Sequence, residues 1–246
     1  MGVPNGYCLA IDCAFPPGSY GLFADVDVVM GYGGGDTPHV WSISQIEQAV
    51  AAGKTFIPIY TVPLDITLGA LQSVYDSIVE TWNTYVAQTK DNKILNCRNI
   101  LALDAEASLW DDNMDVVKQL LSLCARSNEL PPVILVYGSP THFVNEPKLW
   151  AWHVDWMQYN ESGPLNIPSN AGGWYAWQFA GNMSNAAGSY DASLLSIGML
   201  NKAGFVYTKP AVDPAPPPNP VVVGTVGYSY NKVTGEITLR KGPWNG

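Results

Sequence analysis

The chain has 246 residues, 12 basic against 21 acidic, for a formal charge of −9. That balance, with no basic run, argues against a nucleic-acid partner and against adhesion to an anionic membrane. Only 13 % of residues are charged, whereas Trp and Tyr number 9 and 13, a composition common among proteins that bind carbohydrate through ring faces.

Apolar strand-like runs alternate with amphipathic stretches from the N-terminus to about residue 208, a length that suits one domain of barrel size. Residues 7–14 predict a first strand ending on Asp12, and 26–32 a second. The glycine-rich Gly31-Tyr32-Gly33-Gly34-Gly35 that follows lacks the lysine of a phosphate-binding loop and the spacing of a dinucleotide fingerprint. It is read as a flexible loop at the barrel mouth. A helix is expected over 42–52, with Ser44 and Glu47 as a capping box and Gly53 as its stop. Residues 55–60 give a third strand. The long helix expected over 67–89 carries Leu68, Leu71, Val74, Tyr75, Ile78, Trp82 and Tyr85 at helical spacing, so its aromatics are read as core.

The fourth strand, 99–106, contains Ile100-Leu101-Ala102-Leu103, an apolar run of the buried parallel kind. It closes on Asp104-Ala105-Glu106. Side chains alternate with period two along a strand, which puts Asp104 and Glu106 on one face. Carboxylates at the edge of a core are paired, hydrogen-bonded or used, and the C-terminal ends of barrel strands are where such folds do chemistry. The plain alternative is a surface turn with two solvated acids. A helix over 114–127, a strand over 133–137 behind Pro131-Pro132, and strands over 149–154 and 174–179 complete the alternation. Asp191, within Gly188-Ser189-Tyr190-Asp191-Ala192-Ser193, starts an eighth strand. The pattern implies parallel strands with crossover helices. Length and count favour an α/β protein built as a closed (β/α)8 TIM-like barrel.

Residues 209–220 are half proline and read as an extended, semi-rigid linker. Beyond it, 221–246 alternates like a short β-hairpin, with Tyr228 and Tyr230 on one arm, Ile237 and Leu239 on the other, and a turn near Thr234-Gly235. A piece this small cannot bury enough surface to fold alone. It must dock on the barrel, on a second copy or on another protein. The expected plan is a barrel over 1–208, a linker over 209–220 and a β tail or assembly element over 221–246. Cys8, Cys13, Cys97 and Cys124 form no CxxC pair and no metal-ligand spacing with His39, His142 or His153. Cys8 and Cys13 would face opposite sides of the first strand, as buried free thiols. No charged-then-apolar secretion signal is read at the N-terminus. The expected location is therefore a virion, or the cell wall reached by a non-signal route, and otherwise the cytoplasm.

Acids thus end several strands, the arrangement glycoside hydrolysis needs for a proton donor and a second group across the sugar carbon. The order of Ala10-Ile11-Asp12, Leu103-Asp104-Ala105-Glu106, Val136-Tyr137-Gly138-Ser139, Leu149-Trp150-Ala151, Trp177-Gln178-Phe179 and Tyr190-Asp191-Ala192-Ser193 resembles the family 25 glycoside hydrolases. These are bacterial and phage lysozymes that cut peptidoglycan; the related glycoside-hydrolase-like proteins of actinobacteria are similar too. The likeness covers roughly residues 5–200. It implies Glu106 as general acid, Asp104 as the carboxylate that assists charge development beside a substrate N-acetyl nucleophile, and Asp12 and Asp191 as flanking acids. It implies Tyr137, Trp150 and Gln178 as a sugar-facing wall and requires no metal or cofactor; Tyr60 and Tyr32, on the neighbouring strand ends, are further candidate substrate-binding residues outside the likeness. Four clustered acids would raise one another's pKa values and keep Glu106 protonated near neutral pH.

The chain departs from family 25 after its second strand and at the end of its third. There Met30-Gly31-Tyr32-Gly33-Gly34-Gly35 and Ile59-Tyr60-Thr61-Val62-Pro63 replace a lysine-containing acidic stretch and a Tyr-His-Phe-like end. Family 18 chitinases carry further acids upstream on strand four, where this chain has Asn99 and Ala102. Of the aromatic cluster Trp150, Trp152 and Trp156, alternation assigns Trp152 to a barrel-to-helix core, and His153 is read as a structural or rim residue. Two functions follow as expectations. One is a peptidoglycan-cleaving N-acetylmuramidase acting on bacterial cell-wall glycan and carried on a phage particle. The other is a non-catalytic glycan-binding or structural module of a phage tail, with other virion proteins or a second copy meeting residues 221–246.

Overall fold

The computed structural model describes residues 3, 5–89, 99–105, 114–138, 146–154, 174–205, 226–230 and 237–241. Its centre is a closed barrel of eight strands in sequence order: β1 (Tyr7–Cys13), β2 (Val28–Gly35), β3 (Thr55–Thr61), β4 (Ile100–Asp104), β5 (Val133–Gly138), β6 (Leu149–Val154), β7 (Trp174–Asn185) and β8 (Gly188–Ser196). Helices α1 (Ile43–Ala51), α2 (Leu71–Thr89) and α3 (Met114–Arg126) follow β2, β3 and β4, and the short α4 (Ile197–Lys202) follows β8. Among these residues no helix is long and apolar enough to cross a membrane.

The closed α/β barrel agrees with the sequence, but one strand reverses the expected direction. The pairs from β1–β2 through β6–β7 are parallel, whereas β8 is antiparallel to both β7 and β1. Chain length explains this. Asn185 pairs with Gly188, so only Ala186 and Ala187 connect the two strands. A parallel crossover needs a dozen or more residues, while a two-residue turn makes a hairpin. The barrel is therefore mixed, not fully (β/α)8.

Period-two alternation divides the core in two. Cys8, Ala10, Val28, Met30, Ile57, Ile59, Ile100, Ala102, Val133, Leu135 and Leu195 fill the barrel interior. Ile11, Cys13, Val29, Phe56, Leu101, Leu103, Ile134 and Val136 face outward to meet Ile46 of α1, Ile78 and Trp82 of α2, and Leu120 and Leu121 of α3. Because β8 runs downward, α4 emerges at the N-terminal end of the parallel strands. There Met199 and Leu200, with Ala203 and Phe205 beyond it, join the interior cluster. That end is plugged, which leaves the opposite end for a site.

Local signals moved by small amounts. The capping box of α1 is Ser42 with Gln45, slightly earlier in the chain than Ser44 and Glu47; Gly53, at φ +77°, follows the helix as expected. Leu68 belongs to a 3₁₀ turn, Leu68–Ala70, capped by Thr67, and is exposed, while Val74, Ile78, Trp82 and Tyr85 are buried. The glycine run is not a flexible loop. It is the end of β2, with its register against β3 shifted between Tyr32 and Gly34. Two of its glycines are steric requirements. A Cβ on Gly31 would lie 2.5 Å from the Trp41 ring, and one on Gly35, at φ +88°, would lie 2.1 Å from the Thr61 carbonyl.

Cys8, Cys13 and Cys124 are buried, Cys13 and Cys124 as free thiols, with Cys8 inside the barrel and Cys13 outside it, as alternation requires. Cys97 lies outside the described residues. Burial first, then the charges of Asp12 and Asp191, push the Cys13 thiol up, and burial pushes Cys124 up to about 12. The thiolate is the reactive form, so iodoacetamide at pH 8.5 should leave both unmodified in the native protein. Peptide mass spectrometry should find them alkylated after unfolding in guanidinium. An unfolded thiol ionises near 9.0, so above that pH the unfolded state binds fewer protons. These thiols therefore make stability fall as pH rises from 9 toward about 12.

The tail hairpin has the arms read from the sequence. β9 (Val226–Tyr230) and β10 (Ile237–Lys241) pair antiparallel, Tyr230 with Ile237 and Tyr228 with Leu239, and β10 runs beside β7. The linker 209–220 and the turn at Thr234-Gly235 lie outside the described residues.

Candidate active site

The open end of the barrel holds a pocket lined by one residue from each strand: Asp12, Tyr32, Ile59, Asp104, Tyr137, Trp152, Gln178 and Asp191, in the order β1 to β8. Each is an inward position toward the C-terminal end of its strand, apart from Gln178, which lies midway along the long β7, and Asp191, which on the reversed β8 lies before the buried part of the strand. Three carboxylates therefore converge on one floor, where, among the described residues, no Lys, Arg or His joins the lining. Asp12 and Asp191 are direct partners across the antiparallel β1–β8 pair, a relation that puts Cβ atoms about 5 Å apart. Asp104 sits between Thr61 of β3 and Tyr137 of β5. Among the described residues no group of His, Cys, Asp and Glu is arranged to hold a metal ion.

Aromatic rings form the opposing wall. Tyr137 and Trp152 pack edge to face, with centroids 4.7 Å apart. The Trp152 indole Nε1 donates to Ser193 Oγ at 3.1 Å, which locks the ring against β8. Gln178 is 1 % exposed, and its amide Nε2 donates to Asp191 Oδ2 at 2.6 Å. The cavity volume is about 50 Å³. That admits a few waters or a substituent the size of an acetamido group, so a sugar ring would rest above this floor.

Six residues expected in a site from the sequence come together here: Asp12, Asp104, Asp191, Tyr32, Tyr137 and Gln178. Glu106 lies outside the described residues. Two others sit elsewhere. Tyr60 is on the outward face of β3, packed with the helix-side core, and its hydroxyl meets Ser77 of α2 at 2.9 Å. Burial pushes that phenol up, offset in part by the Ser77 hydrogen bond. Ile57 and Ile59 already set the inward parity, so Tyr60 between Ile59 and Thr61 had to point out, and Ile59 lines the pocket. Trp150 shares the inward face of β6 with Trp152 but lies two residues deeper, against the interior cluster. There the Lys202 ammonium stands 5.5 Å from its ring centroid. Trp152 is buried in the interior cluster, in keeping with its assignment to the core, and it is also the tryptophan of β6 that lines the pocket. The usable signal was that β6 runs on to Val154, which puts the later tryptophan nearer the open end. His153 faces outward and is buried, in keeping with a structural role.

No protein-family model matches the sequence, and no curated protein matches it. Solved structures do match the fold. The chain is similar to the catalytic domain of the endolysin ply40 from bacteriophage P40 of Listeria monocytogenes, at 14 % identity and a TM-score of 0.56, over 82 % of this chain and 98 % of that one. It is also similar to the bacterial lysozyme from Streptomyces coelicolor, at 16 % identity and a TM-score of 0.53, over 80 % and 96 %. A third is a family 25 glycosyl hydrolase from Bacillus anthracis, at 12 % identity and a TM-score of 0.51, over 79 % and 91 %. At these identities the likeness is one of fold.

Proposed function

We propose that this protein is a peptidoglycan-cleaving glycoside hydrolase of the N-acetylmuramidase type. One observation carries the reading: Asp12, Asp104 and Asp191, from three separate strands, meet aromatic side chains at the open end of the barrel. A sugar bond breaks when its leaving oxygen gains a proton and the positive charge growing at the anomeric carbon is stabilised. Glu106 is the proposed proton donor. Asp104 is the carboxylate that steadies the charge and the acetamido group. The acetamido oxygen then bonds to the anomeric carbon as the glycosidic bond breaks, and water, giving a proton back to Glu106, reopens the product. Tyr32, Tyr137 and Trp152 supply ring faces and edges for the sugar. The lysozyme and endolysin structures that share this fold support the same assignment, and the proposed substrate is bacterial cell-wall glycan.

Purified peptidoglycan incubated with the wild type and with Glu106→Gln tests this. New reducing ends from the wild type, ending in N-acetylmuramic acid by mass spectrometry, and their loss in Glu106→Gln are the expected outcome. Equal release by both proteins would sink the assignment of Glu106. Wall binding without any cleavage by the wild type would favour a glycan-binding module instead. Carriage on a phage particle belongs to the same proposal, and peptides of this chain in purified virions are its test.

A further inference from the structure

We propose that Gln178 is a positioning residue, whose amide N–H holds Asp191 as a hydrogen-bond acceptor facing Asp12, so that a proton shared within the acidic floor resides on a carboxylate other than Asp191. The role of this arrangement in turnover rests on the hydrolase reading; the arrangement itself does not.

Geometry assigns the amide. A glutamine can offer a carboxylate only its NH₂ end, and the 2.6 Å contact from Nε2 to Asp191 Oδ2 is of the short, charge-assisted kind. The other end of the amide, Oε1, is buried and has no hydrogen-bond partner among the described residues, so the group is not held in place from that side. The backbone prepares the contact. Gln178 pairs with Ser193 on β8, and the register then shifts before Ala180 pairs with Ala192. A shift of this kind re-aims a side chain next to a site; here it brings the amide to Asp191.

The neighbours make the donor consequential. Asp191 shares the pocket with Asp12 of β1, Asp104 of β4, and the phenols Tyr32 of β2 and Tyr137 of β5. The Cys13 thiol behind β1 feels the charges of both Asp12 and Asp191. Among the described residues, Ile59 and Trp152 add no ionisable group to the lining. Adjacent carboxylates resist ionising together, and a hydrogen bond donated to one of them favours its charged form. Gln178 supplies that bond to Asp191.

Carbon-13 titration of the aspartate carboxyls in the full chain reads this directly. In Gln178→Leu the Asp191 midpoint should rise by about one unit or more, a roughly tenfold change in its ionisation equilibrium. In the isosteric Gln178→Glu, the introduced carboxyl and Asp191 should titrate as a pair that retains one proton above the wild-type range. An Asp191 midpoint that does not move in either variant overturns the proposal; if Gln178→Leu fails to fold, the isosteric variant decides. In turnover, Gln178→Glu can donate only while protonated. The alkaline limb of kcat/KM should therefore shift to lower pH, which a packing defect would not produce. A profile that superimposes on the wild type after scaling overturns the role in turnover. A wild type that cleaves no wall would remove the hydrolase reading and leave the titration to judge Gln178.

Discussion

Replacing Asp104 by Asn should lower kcat on solubilised peptidoglycan by about 10²–10³-fold, the usual loss when one charge-stabilising group leaves a preorganised site. The substitution keeps the shape of the side chain and leaves the backbone untouched, including the Asp104 carbonyl that accepts from Val62 N at 2.8 Å. It also removes one of three carboxyl groups gathered in a pocket where, among the described residues, no basic side chain joins the lining. Relief of the repulsion among them offsets whatever hydrogen bonding the carboxylate loses, so the melting temperature should stay within about 2 °C of the wild type. Activity and stability thus separate in one variant. A small kinetic effect, or a large fall in melting temperature, would show that Asp104 serves the fold instead.

The opposite separation is expected on the other face of the neighbouring strand. Phe56→Ala should cost about 3–5 kcal/mol, the range for emptying a large aromatic site in a close-packed core. Phe56 is wholly buried on the outer face of β3, with ring centroids 5.3 Å from Trp41 and 6.4 Å from Tyr85. It therefore ties the barrel to α2 and to the segment before α1. Its two ring neighbours are themselves held by other partners, Tyr85 packed on the Trp82 ring and Trp41 donating from Nε1 to the Ala14 carbonyl. In urea the transition midpoint should fall with an unchanged slope, and the melting temperature should drop by roughly 10 °C. The pocket residue of the same strand is Ile59, on the inward face, so the protein that remains folded should retain its activity per molecule. A change of less than about 1 kcal/mol would mean that the layer between barrel and helices is looser than its burial implies.

Much of this arrangement was legible from residue order alone. Period-two alternation in β1 placed Cys8 and Cys13 on opposite faces, and the acids that end or begin strands, Asp12, Asp104 and Asp191, do converge. Two kinds of information were not local. Whether Trp150 or Trp152 stands at the mouth depends on where β6 ends relative to its neighbours, a property of barrel stagger and not of the sequence Leu-Trp-Ala-Trp. Likewise, Tyr60 looked like a site residue because it sits near the end of a strand, but its side of the sheet is fixed by Ile57 and Ile59. The reversal of β8 could have been read from the two residues between Asn185 and Gly188. It was obscured because β7 was expected to stop at 179, whereas it runs on to Asn185.

Closure of the barrel also orders events in time. β1 and β8 lie at opposite ends of the barrel sequence, and Asp12 meets Asp191 across about 180 residues of chain. Every other neighbouring pair in the barrel is closer in sequence, so closing this seam carries the largest loop-closure entropy and belongs late in folding. The two carboxylates are strangers until the seam closes. The acidic floor is therefore expected to assemble only with the final pairing, after the strands between have been made, rather than growing by degrees.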